Sequence, residues 1–121
     1  MAKVLIVDDS RVYRFSLRRL MNSWGHEVII AKNGEQGFDV ARQEKPDLIL
    51  MDIVMPGMNG YQAKRKLASD EATSHIPVIF VSSRSEETDK VWGLRQGAYA
   101  YVTKPIEPKE LQTAMTDAMA A

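Results

Sequence analysis

At 121 residues with 45% apolar content, the chain is long enough to bury one ordinary core and short enough for one domain. Sixteen Lys plus Arg balance sixteen Asp plus Glu, so there is no electrostatic footprint for nucleic acid or an anionic membrane. Cysteine is absent, which removes disulfides, thiol nucleophiles and cysteine metal sites together. The N-terminus MAKVLIVDD is too short and too acidic for a signal peptide, and no apolar stretch reaches membrane-spanning length. A cytoplasmic, monomeric protein that recognises partners locally is the expectation.

The first element is KVLIV (3–7), apolar without alternation, as a strand buried on both faces reads. It runs directly into Asp8 and Asp9. A helix follows over 10–24, with Leu17, Leu20 and Met21 on one stripe and Gly25 placed to stop it. Strand two is EVIIA (27–31), and Asn33 opens a helical pattern over 34–45. DLILMD (47–52) is the third strand, ending in Asp52, and a third helical pattern follows at 60–69 after MPGMNG. PVIFVS (77–82) ends in Ser82, with a helix over 86–96 starting near Ser85 and turning Val91 and Leu94 inward. Trp92 there reads as a partly buried packing residue. AYAYVT (98–103) leads to Lys104 and Pro105, and Glu107 with Pro108 opens the last helix, 108–120.

Five strands separated by helices of this length are parallel with right-handed crossovers, giving an α/β doubly wound sheet covered on both faces. One domain spanning 1–121 is expected. In such a sheet, ligands meet the carboxyl ends of the strands beside the point where strand order reverses. Asp8, Asp9, Asp52, Ser82 and Lys104 all stand at strand carboxyl ends. Two carboxylates about 5 Å apart repel by roughly 3 kcal/mol at an effective dielectric of ~20, so three ionised together need compensation. Lys104 supplies one charge; a hard divalent cation held by oxygen alone, such as Mg²⁺, supplies two. A phosphoryl group could then bridge to the metal, with Lys104 and the Ser82 hydroxyl on its other oxygens and an Asp carboxylate as nucleophile.

VDDS (7–10), LILMDIVMPGMNG (48–60), PVIFVSS (77–83) and GAYAYVTKP (97–105) strongly resemble the CheY-like receiver domains of bacterial two-component response regulators. The spacing adds to the likeness: the hydroxyl residue follows the lone Asp by 82 − 52 = 30 positions, and the Lys-Pro follows it by 104 − 82 = 22. The resemblance covers essentially the whole chain. It implies the flavodoxin-like strand order 2-1-3-4-5 and a role for each position. Asp52 would accept a phosphoryl group from a histidine kinase or histidine phosphotransfer domain. Asp9, Asp52 and the Val54 backbone carbonyl would ligate Mg²⁺, with Asp8 acting through water. Lys104 would pair with carboxylate or phosphate, and Ser82 would bond a phosphoryl oxygen. Tyr101 would be the aromatic switch, and the Lys104–Pro105 bond would be cis. The stretch ETDKVWGLRQGA (87–98) further resembles single-domain regulators of type IV pilus twitching motility, implying a chemotaxis-like kinase as donor and a motility protein or a phosphate-sink role downstream.

Other readings are weaker. A haloacid-dehalogenase-type phosphatase also uses a strand-end Asp and Mg²⁺, but its second Asp is replaced here by Val54. A flavodoxin-like cofactor binder would need a phosphate loop where Asp8 and Asp9 would repel the ligand. A phosphorylation-independent interaction module would normally lack one of the five site residues. His26 and His75 read as surface histidines, and the runs Arg11/Arg14/Arg18/Arg19 and Lys64–Arg65–Lys66 as solvated faces, the first also as a docking surface.

Overall fold

The computed structural model describes residues 1–121 as alternating strands and helices. The strands are β1 (Lys3–Val7), β2 (Glu27–Ala31), β3 (Leu48–Met51), β4 (Val78–Ser82) and β5 (Ala100–Thr103). The helices are α1 (Arg11–Ser23), α2 (Gly34–Glu44), α3 (Gly60–Ser69), α4 (Glu87–Arg95) and α5 (Pro108–Ala120). All four strand pairings are parallel, in the order β2-β1-β3-β4-β5. This is the doubly wound arrangement expected from the sequence. No helix is long and apolar enough to cross a membrane.

The strands alternate sides although their sequences do not alternate polarity. Leu5, Val7, Ile49, Met51, Val78 and Phe80 face one core with Phe38 and Ala41 of α2 and Ala63 and Leu67 of α3. Val4, Ile6, Leu48, Leu50, Ile79 and Val81 face the other with Leu17 and Met21 of α1 and Leu111 and Met115 of α5. Two apolar faces explain the unbroken apolar runs.

Side-chain caps place most helix starts. The side chains of Ser10, Asn33 and Asn59 accept from the backbone N–H of Tyr13, Gln36 and Gln62. Glu107 accepts from Lys109 and Glu110, with Pro108 behind it. The fourth helix is capped at Glu86, next to Ser85, where the Glu86 N–H donates to Asp89 Oδ2 at 3.2 Å. Trp24 ends α1 and Gly25 follows at φ +82°, a left-handed conformation open to glycine.

Helix α4 departs most from its sequence pattern. Val91 and Leu94 do not point inward; they are 42% and 48% exposed, and Trp92 is 48% exposed. The one buried residue of the helix is Gly93. A Cβ there would stand 2.7 Å from Tyr101 Cδ2 and 3.2 Å from Phe80 Cδ2, so α4 lies with its backbone directly on two aromatic rings. Trp92 packs edge-on to Tyr61 of α3, centroids 6.3 Å apart.

Candidate functional site

Register builds the site before any side chain is considered. Val7 pairs with Met51, so Asp8 and Asp52 leave adjacent strands side by side; the Asp52 N–H donates to Val7 O at 2.9 Å. Ser82 pairs with Thr103, and the Lys104 N–H donates to Ser82 O at 2.8 Å. The crevice therefore collects residues from β1, β3, β4 and β5 at the strand-order reversal.

The Lys104 ammonium sits between two carboxylates, 2.9 Å from Asp8 Oδ2 and 3.4 Å from Asp52 Oδ2. Asp8 is 1% exposed and its second oxygen accepts from the Ser10 N–H at 2.8 Å. Asp52 is 7% exposed, and its second oxygen accepts from the Ile53 N–H at 2.7 Å. Burial raises the Asp52 pKa above the ordinary carboxylate value; Lys104 pulls it back, Asp8 pushes it up again, and the Ile53 N–H opposes. Asp9 is exposed. One carboxylate oxygen from each of Asp8, Asp9 and Asp52 lies within 4.8 Å of the others, an all-oxygen donor set that fits a hard cation such as Mg²⁺. Val54 has an exposed side chain in the β3–α3 loop. That loop returns tightly: a Cβ on Gly60 would collide with the Asp52 carbonyl and stand 2.8 Å from Ile53 Cα, and the Gly60 N–H donates to Ile53 O at 2.8 Å.

Ser82 is fully buried, and its hydroxyl accepts from the Arg84 N–H at 3.3 Å. Tyr101 is half-buried and donates its hydroxyl to Arg84 O at 2.6 Å. Both side chains thus hold the same peptide segment. The Lys104–Pro105 bond is cis.

Three residues read as surface positions in the sequence are engaged. Arg14 is half-buried and donates Nη1 to Asp8 O at 2.8 Å, bracing the end of β1. Lys64 is buried, with its ammonium end beside Gly97, and burial lowers its pKa. His26 is half-buried and its Nδ1 accepts from the Ala2 N–H at 3.1 Å. Tyr13, which no motif marked, lies under the Lys104 ammonium with its ring centroid 3.8 Å away.

Residues 4–116 match the response regulator receiver domain. The chain belongs to this family. It is 55% identical to protein PilH of Pseudomonas aeruginosa over 92% of each chain. It is 41% identical to the phosphate regulon transcriptional regulatory protein PhoB of the same organism, over 89% of this chain and 47% of PhoB. Chemotaxis protein CheY4 of Vibrio cholerae superposes with a TM-score of 0.89 at 27% identity, covering 98% of each chain. The response regulator domain of Thermotoga maritima CheB gives 0.88 at 35% identity, over 98% of this chain and 96% of that one. The family is one of signalling domains rather than of classical enzymes.

Proposed function

We propose that Asp52 accepts a phosphoryl group from a phosphohistidine donor in a Mg²⁺-dependent reaction, and that the resulting acyl phosphate switches a protein-interaction surface. The observation that carries this reading is the Lys104 ammonium shared between Asp8 and Asp52, with Asp9 left free beside them. In the step, an Asp52 carboxylate oxygen attacks phosphorus, the P–N bond breaks, and its electron pair stays on the donor imidazole nitrogen. Mg²⁺, when bound, neutralises the charge gathered on the carboxylates and the phosphoryl oxygens. Asp9 and Asp52, with the Val54 carbonyl, would ligate it directly; Asp8, already engaged by Lys104 and Ser10, would reach it through water. Lys104 orients Asp52 and stabilises the negative charge of the transferring group.

Ser82 and Tyr101 are the proposed switch. A phosphorylated Asp52 brings roughly −1.5 to −2 charge and new acceptor oxygens. Turning the Ser82 hydroxyl to donate to one of them releases Arg84 N, while Tyr101 holds the same residue through Arg84 O. The β4–α4 loop, Tyr101 and the overlying α4 then move as linked parts between two pre-existing arrangements. The donor is a histidine kinase or histidine phosphotransfer domain of a chemotaxis-like pathway, and the recipient a type IV pilus motility protein, a reading supported by the 55% identity to PilH.

Incubation with a small phosphodonor and Mg²⁺, followed by intact mass, tests the proposal. One phosphoryl adduct that requires Mg²⁺ is expected. Its absence would overturn the reading, and steady hydrolysis of a phosphomonoester without an adduct would favour a phosphatase instead.

A further inference from the structure

We propose that Tyr13 is a positioning residue for Lys104: its ring fixes the ammonium over the Asp8–Asp52 pair and thereby sets the rate of phosphoryl acceptance. The inference rests on the reading of Asp52 as acceptor.

An ammonium has three donors on a flexible four-carbon stem. In Lys104 one donor faces Asp8 Oδ2 at 2.9 Å and another Asp52 Oδ2 at 3.4 Å. The Tyr13 ring lies 3.8 Å from Nζ and covers a further side, and the lysine side chain is only 6% exposed. Attraction between a cation and an aromatic face is strongest where water is kept out. The two carboxylate contacts are unequal, so an ammonium released from the ring would settle against Asp8 and leave Asp52. Tyr13 opposes that drift from the other side.

The ring is itself held. The Tyr13 N–H donates to the N-cap hydroxyl of Ser10 at 3.3 Å, and the next residue, Arg14, ties the same turn to the Asp8 carbonyl. The side chain forms part of the wall of a groove of about 530 Å³ between α1 and the β5–α5 loop, with Leu17, Leu20, Pro105 and Ile106. The first turn of α1 thus grips the end of β1 and the lysine from β5 together. The bland alternative is that Tyr13 only fills this groove. It predicts that a Leu of similar reach would serve equally.

Tyr13→Phe, which keeps the ring face, and Tyr13→Leu, which keeps only apolar bulk, separate the two. Tyr13→Met replaces the Leu variant should that one fail to fold. In metal-free protein, the Lys104 ε-methylene and ammonium resonances should be shifted upfield by the ring in wild type and Tyr13→Phe, and return to ordinary values in Tyr13→Leu. With a small phosphodonor at saturating Mg²⁺, Tyr13→Phe should label within about twofold of wild type, and Tyr13→Leu roughly three- to tenfold more slowly. Equal rates for Leu and wild type, equal losses for Phe and Leu, or unshifted Lys104 resonances in wild type would each overturn the proposal. If wild type itself takes no phosphoryl group, the acceptor reading fails, and the resonances still decide whether Tyr13 holds the ammonium.

Discussion

Helices α1 and α4 flank the same crevice and are attached to the sheet in opposite ways. Helix α1 buries Leu17 and Met21 in the core, is capped by Ser10, and sends Arg14 and Tyr13 back into the site. Helix α4 buries only Gly93 and turns Val91, Trp92 and Leu94 toward solvent. Its other ties are the edge contact of Trp92 with Tyr61 and two polar contacts, Arg84 to Asp89 at its start and Arg65 to Gln96 at its end. The difference separates a firmly packed side, which carries the residues of the proposed chemistry, from a side docked through few buried side chains, the one the proposed switch would move. Few buried apolar contacts mark the segments of lowest local stability.

The same residue type on the two helices gives the largest contrast. Leu17→Ala should cost about 2–5 kcal/mol by leaving a cavity, whereas Leu94→Ala should stay within about 0.5 kcal/mol. Denaturant melts of both variants measure this, and similar losses would erase the distinction. Next, Gly93→Ala should destabilise by about 1–3 kcal/mol despite alanine's better helix propensity, because the new methyl meets the Tyr101 ring. Combining it with Tyr101→Leu should remove most of that cost. An additive double variant would show that α4 does not rest on the ring.

The smallest effect concerns pH. Burial, then the charge of the N-terminal amine, lowers the His26 pKa below 6.5. A depressed histidine pKa means that the unfolded chain binds the extra proton more readily, so the stabilising contribution is present above pH 6.5 and lost as pH falls through the folded value. Wild type should therefore lose stability between neutral and mildly acidic pH, and His26→Gln should flatten that decline. Parallel pH–stability curves for the two proteins would return His26 to the surface.

Much of this molecule is legible in its sequence because sheet burial writes itself as apolar runs and the crevice is made of strand ends. KVLIV, LILM and VIFVS announce central strands, and the residues directly after the first two carry the carboxylates. The parts that escaped are those whose cause lies across the fold. Helical periodicity counts apolar side chains, so it pointed to Val91 and Leu94 and could not register a glycine seated on a distant aromatic ring. Lys64 looks solvated beside Arg65 and Lys66, yet it is buried, because the fold brings the distant Gly97 against its ammonium end. Tyr13 meets Lys104 only because β5 ends where α1 begins, and nothing in the local sequence marks that pairing.

The acceptor assignment is tested most directly by Asp52→Asn. The side chain stays similar in shape, and Asp8, Asp9, Ser82 and Lys104 remain in place. Wild type and Asp52→Asn would be incubated with the same small phosphodonor and Mg²⁺, checked for equal folding by circular dichroism, and weighed intact. A single phosphoryl adduct on wild type and none on Asp52→Asn is the expected result; undiminished labelling of the folded variant would place the acceptor elsewhere.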